Sequence, residues 1–247
     1  MPWAELPAAD ESLTEICHII TDVARTSEGY YPRNYTMGYD KAKRLWAAYP
    51  LHSCYTQGIS RERHWGYDPT LAPGEQMTGG VSAPYNRGHQ VANADRRVSN
   101  LANDQISYYS NMTAQRSNFN SGVWAALEGR VRGWMCADTL YVVTGCHFDG
   151  SQTSTIDNGG NTLPVPTQYY KVLLRSKNGS TGRSVASLPA DELQAIGFWY
   201  EHTESSGQNP AGCAKSVSEI ERLCGFEFFV NVPNAPKASY LPSDWGL

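Results

Sequence analysis

The chain has 247 residues, 40% hydrophobic and 18% charged, which suits a soluble globular protein long enough to bury a core. Its net charge of −4 and pI of about 5.9 argue against a protein that coats itself in nucleic acid by bulk charge. No apolar run is long enough to span a bilayer as a helix, so no membrane partner is expected.

Residues 1–40 are expected to form an N-terminal extension. Asp10 to Ile16 carries helix-start chemistry, while Ile16-Cys17-His18-Ile19-Ile20 fits a strand equally well. Arg33 to Asp40 reads as extended chain ending in a turn. Leu45 to Tyr49 is an apolar strand, with Pro50 expected to stop it. From Ser60 to Pro84 the chain is loop, punctuated by Asp68-Pro69, Ala72-Pro73-Gly74 and Gly79-Gly80.

The stretch from Tyr85 to Arg132 carries the chemistry. Tyr85 to Ala94 should form one arm of a hairpin, and Ser107 to Met112 reads as its second arm. Gly88, beside His89, allows an unusual backbone angle or a close approach. Val123, Leu127 and Val131 recur every four residues, the apolar face of a helix. Asn120 then lies near the helix N-terminus. Glu128, eight positions on, is offset by about 80° around the axis. A histidine can take a proton from water. An asparagine oxygen is a hard ligand suited to magnesium. A glutamate can hold metal-bound water. Between Ala47 and Tyr170 there is no lysine, and the cations are Arg61, Arg63, Arg87, Arg96, Arg97, Arg116, Arg130 and Arg132. Arginine without lysine suits bidentate oxyanion contacts, although buried ion pairs have the same composition. Those parts together read as metal-assisted cleavage of a phosphodiester. The bland readings are an N-cap for Asn120, an i,i+4 ion pair for Glu128 with Arg132, and a backbone-satisfying turn residue for Asn111. The other histidines, His18, His52, His64, His147 and His202, have no such company and read as structural.

Downstream, Thr139 to Gly145 and Val165 to Arg175 are branched-residue strands. Asp149 to Asn161 is a polar loop, and Asn178-Gly179 a hairpin turn signal. Ala195 to Tyr200 continues the sheet, and Ser216 to Leu223 shows a helix pattern. No repeat or linker occurs, so residues 1–247 are expected to be one domain. The six cysteines form no CxxC pair, which argues against a zinc ribbon. Local spacing favours Cys213 with Cys224, then Cys17 with Cys54, as disulfides in an exported protein. Cys136 and Cys146 sit in apolar surroundings and read as core thiols.

Asn86-Arg87-Gly88-His89, Asn111-Met112-Thr113-Ala114-Gln115, and the block from Asn120 through Gly122, Trp124 and Leu127 to Glu128 resemble the signature of the sugar-non-specific DNA/RNA endonucleases, the ββα-metal nucleases. That signature runs Asp-Arg-Gly-His, Asn-Met/Ile-x-x-Gln and Asn-x-Gly-x-Trp-x-x-Leu-Glu. Arg63-His64-Trp65-Gly66-Tyr67-Asp68-Pro69 resembles the family's Arg-x-Trp-x-x-Asp-Pro run. The likeness spans residues 47–232. One position departs: Asn86 stands where the family has aspartate.

The resemblance implies an α+β fold, with a mixed, mainly antiparallel central sheet flanked by helices and long loops. A ββα-metal core would span residues 85–132. It implies a magnesium-dependent endonuclease, manganese being possible, acting on the DNA and RNA backbone. His89, Arg87, Glu128 and Asn111 would be catalytic, and Arg63 and Arg132 would meet substrate phosphate. Asn120 would ligate the metal directly and Glu128 through water. The start, Met1-Pro2-Trp3, has neither charged n-region nor apolar h-region. Composition and resemblance favour a secreted or periplasmic protein whose leader is absent from the sequence, with a cytoplasmic one as the alternative. A catalytically weakened nucleic-acid-binding module, or a phosphodiesterase for another substrate, are the competing functions.

Overall fold

The computed structural model describes residues 3–41, 45–60, 64–204 and 207–247. Its centre is a seven-stranded sheet in the order β1-β2-β3-β6-β9-β10-β11, every neighbouring pair antiparallel. These strands are β1 (Thr14–Ile19), β2 (Arg33–Tyr39), β3 (Leu45–Leu51), β6 (Leu140–His147), β9 (Gln168–Ser176), β10 (Leu193–Glu201) and β11 (Ala214–Lys215). The hairpin of β4 (Tyr85–His89) and β5 (Met112–Arg116) stands apart from it, as does a short pair, β7 (Ser154–Ile156) and β8 (Thr162–Pro164).

Both sheet faces are covered, so the central strands read as nearly continuous apolar runs rather than alternating ones. Within β3, Leu45, Ala47, Tyr49 and Leu51 join one core and Trp46 and Ala48 the other. The first core receives Ile106 from α2 (Asn100–Ile106), Phe119 from α3 (Ser117–Phe119), and Leu127 and Val131 from α4 (Ala125–Gly133). The second receives Val217, Ile220 and Cys224 from α6 (Val217–Cys224), with Phe226, Phe228 and Phe229 behind it. The start of α6 is fixed by a capping box in which Ser216 and Glu219 satisfy each other's backbone N–H. Two one-turn helices, α1 (Ser53–Thr56) and α5 (Pro210–Cys213), lie on connections.

Several expectations are corrected. The segment expected as an N-terminal extension contributes β1, an edge strand, and β2 to the main sheet. Pro50 does not end its strand. Pairing of β2 with β3 stops at Ala48, so beyond it β3 has a free flank where the missing N–H costs nothing. The second hairpin arm begins at Met112, since Tyr109–Asn111 is a 3-10 turn. The polar loop after Asp149 contains β7, and the strand expected from Val165 starts at Gln168. All six cysteines are free thiols. Cys213 belongs to one core and Cys224 to the other, so they face opposite sides of the sheet.

Candidate active site

The β4–β5 hairpin presents one wall of the site. Its register pairs Arg87 with Ala114 and His89 with Met112. Gly88 is required by close approach: a Cβ there would run into the buried Gln115 side chain. The hairpin is tied at both ends. Ser117 N donates to Pro84 O (2.9 Å) and Gln90 N to Asn111 O (2.9 Å).

The second wall is helical. Ser117–Phe119, Asn120–Trp124 and Ala125–Gly133 form successive segments, the middle one a widened π-type turn with a kink at Gly122 (φ −101°, ψ −107°). Asn120 therefore lies inside the helical segment, one turn after its start, and is not an N-cap. A widened turn takes up more residues per revolution than the ordinary 3.6 or so. Despite the offset of an ideal helix, Asn120 and Glu128 both line one cleft.

That cleft, of about 600 Å³, collects Asn86, Arg87 and His89 from β4, Asn120 and Glu128 from the helical wall, and Arg132 from the end of α4. The Arg87 guanidinium lies 4.0 Å from the centroid of the Trp65 ring, whose other neighbour is the His89 imidazole at 5.4 Å. Trp65 in turn packs on buried Met77, Met112 and Leu163. The indole thus places a cation beside the histidine.

Arg132 meets a different carboxylate from the one expected. Its Nη1 donates to Asp95 Oδ1 (2.9 Å), and Tyr49 Oη donates to Asp95 Oδ2 (2.9 Å). Burial alone would lower the Arg132 pKa, but Asp95 and then Glu128 outweigh it and the net shift is upward. Behind α4, buried Lys171 donates from Nζ to Thr144 Oγ1 (3.0 Å) and sits 4.5 Å from the Trp124 ring. Burial pushes its pKa down to about 8, against the fields of Glu128 and Asp95.

One expected site residue is elsewhere. Asn111 is fully buried and does not line the cleft. Its Oδ1 accepts from Val91 N (3.0 Å), while its Nδ2 donates to Val91 O (3.1 Å) and Ile106 O (2.9 Å). It joins the segment after His89 to the end of α2, so its amide holds main chain rather than facing the cleft. Arg63 lies outside the described residues. Conversely, Trp65 lines the cleft and Asp95 supports Arg132, although the sequence assigns neither a role, and Arg97, one of the arginines of the lysine-free stretch, lines the cleft too. Asp95 carried a weak signal, an acid next to two arginines; its link to Arg132 spans 37 positions and leaves no local pattern.

Among the described residues no group of three or more His, Cys, Asp or Glu side chains could hold a metal. Oxygen donors in the cleft that suit a metal include the Asn120 amide and the Glu128 carboxylate, and the amides of Asn86 and Asn93 belong to the same lining. Such a sparse oxygen set fits magnesium, which keeps much of its hydration shell.

Comparison with known proteins agrees with this architecture. A family model described as DNA/RNA non-specific endonuclease matches residues 19–235. A nuclease of Serratia marcescens is 26% identical over 204 residues, covering 78% of this chain and 71% of the relative. The mitochondrial nuclease EXOG of Danio rerio is 26% identical over 217 residues, covering 82% and 61%. A nuclease of Syncephalastrum racemosum is 32% identical over 169 residues, covering 59% and 53%. Among these curated relatives the match thus spans between about half and seven-tenths of the relative's length. A chain in the crystal structure of the EndoG/EndoGI complex superposes with a TM-score of 0.64 at 20% identity, covering 83% of this chain and 86% of that one, a likeness of fold.

Proposed function

Because the chain belongs to the DNA/RNA non-specific endonuclease family, we propose that it is a magnesium-dependent endonuclease, with manganese able to substitute, that hydrolyses phosphodiester bonds of DNA and RNA. The observation that carries this reading is the gathering of His89, Arg87, Asn120 and Glu128 around one cleft. Asn120 would hold the metal directly and Glu128 through water. When bound, the metal supplies Lewis-acid stabilisation of the phosphate and the departing oxygen.

The chain's own groups do the rest. Neutral His89 takes a proton from the attacking water as its oxygen bonds to phosphorus. The bond from phosphorus to the 3′-oxygen breaks, the 3′-oxygen keeps the electron pair and takes a proton from water to become a hydroxyl, and the other product carries a 5′-phosphate. Arg87, fixed on Trp65, meets the negative charge that builds on the phosphoryl oxygens. Arg132, oriented by Asp95, is a further phosphate contact, and Arg63 is another on the strength of its motif. None of these side chains selects a base, so discrimination between DNA and RNA should be weak. We take residues 1–247 as one nuclease domain. A secreted or periplasmic setting goes with this reading, and no described helix is long and apolar enough to cross a membrane.

Asn86 supports one competing reading. It lines the cleft without the charge of the family's aspartate, so the chain could bind nucleic acid and cleave it poorly. Plasmid cleavage with Mg²⁺ and with EDTA, for wild type and His89→Ala, separates the two. The nuclease reading expects metal-dependent nicking that falls on the order of a hundredfold or more in the variant. Binding without cleavage by the wild type would overturn it.

A further inference from the structure

Six arginines between residues 47 and 170 are described, and four are occupied. Arg96 is buried, and its guanidinium is spent on main-chain carbonyls of Asn34, Pro50 and Asp95. Arg116 pairs with Glu204 (2.6 Å), Arg130 reaches Gly246 O (3.5 Å), and Arg132 pairs with Asp95. Arg87 and Arg97 are left, and both line the cleft. Arg87 rests on Trp65, close to His89. Arg97 makes no ion pair or side-chain hydrogen bond among the described residues, and its Nε is buried without a partner.

The Arg97 backbone, by contrast, is firmly held. Its N–H donates to Tyr55 O (2.7 Å) and its carbonyl accepts from Ile59 N (2.9 Å). Gly58, at φ +141°, packs so closely that a Cβ there would press on Arg97 O. A rigid backbone thus carries a guanidinium with unspent donors into a cleft. Ala92, Asn93 and Ala94 also line the cleft, and Arg97 enters it from a segment outside the hairpin that carries His89.

We propose that Arg97 forms a second phosphate site, taking a backbone phosphate adjacent to the one that is cut. The ligand is then a strand with at least two successive phosphates. This inference rests on the nuclease reading above and adds a subsite to it. The cleft volume falls in the range of roughly 300–1,000 Å³ typical of small-molecule sites, room for more than a single phosphate.

The test is binding, not cleavage. Fluorescence anisotropy of a labelled single-stranded oligonucleotide in EDTA gives Kd across a salt series for wild type, Arg97→Gln and Arg97→Lys, with thermal melts confirming that each variant is folded. Arg97→Gln should make the slope of log K against log salt shallower by about 0.7, the share of one single-strand phosphate. Arg97→Lys, which keeps the charge, should retain the wild-type slope. A slope unchanged in Arg97→Gln overturns the subsite, as does an equal fall in both variants. Weakened binding of a dinucleoside monophosphate by Arg97→Gln would move Arg97 to the scissile phosphate and overturn the adjacent assignment. A wild type that binds no oligonucleotide fails the nuclease reading itself, a result distinct from these.

Discussion

Acid should loosen the β4–β5 hairpin through His202, a residue that lies outside the cleft. The Nε2 of His202 accepts from Arg116 N (2.7 Å), the last residue of β5, and its Nδ1–H donates to Pro166 O (2.6 Å). A protonated ring would turn an N–H toward the Arg116 N–H. Burial, with the nearby Arg116 charge, pushes the His202 pKa down to about 4 from an ordinary 6.5. At 7% exposure, solvent screening does little to reduce that effect. As pH falls through 6.5 the unfolded chain takes up a proton that the folded one refuses, so stability present above 6.5 drains away until pH 4. Each pH unit in that window costs about 1.4 kcal/mol, or about 3 kcal/mol in all. His202→Phe keeps a ring in place and removes the titration. Near neutrality it should be less stable than wild type by about 1–3 kcal/mol, because Arg116 N and Pro166 O lose their partner. Urea denaturation followed across the window should show that deficit shrinking, with the two stability curves meeting or crossing near the acid end. A constant gap between them would refute the argument.

Two further substitutions probe the same hairpin. Gly88→Ala drives a methyl into Gln115, and should cost about 1–3 kcal/mol in denaturation together with a larger loss of cleavage, since Arg87 and His89 flank the displaced residue; wild-type stability and rate would show that the contact gives way freely. Asn86→Asp restores a negative charge to the cleft and should shift the acid limb of the pH–rate profile upward by about one unit. Unchanged rate, pH optimum and metal dependence would remove any role for that charge.

What could be read from the sequence follows the range of the interactions involved. β6, β9, β10 and α6 are legible in the sequence because branched residues and apolar spacing are local signals. The second hairpin arm starts later than the strand propensity of Tyr108 and Tyr109 suggests, because this stretch turns so that Asn111 can bridge Val91 and Ile106. Asn111 shows why a motif does not divide into roles by itself: its amide serves the main chain, whereas Asn120, of the same chemical type, faces the cleft. The wide turn at Asn120–Trp124 was hidden because an ideal helix gives no hint of an extra residue per revolution. Asp95 and Arg97 acquire their meaning only from partners, or their absence, that folding decides.

Arg96 has a consequence for how the molecule breathes. Its single guanidinium bonds carbonyls of β2, β3 and the turn that leads from His89 to Arg97. A partial opening of that turn would strand a buried cation or tear bonds from two central strands, at a cost of several kcal/mol. Amide hydrogens of this cleft wall should therefore exchange on the schedule of the sheet rather than of a surface loop, as one cooperative unit with β2 and β3. The wall that faces substrate inherits the slow clock of the core.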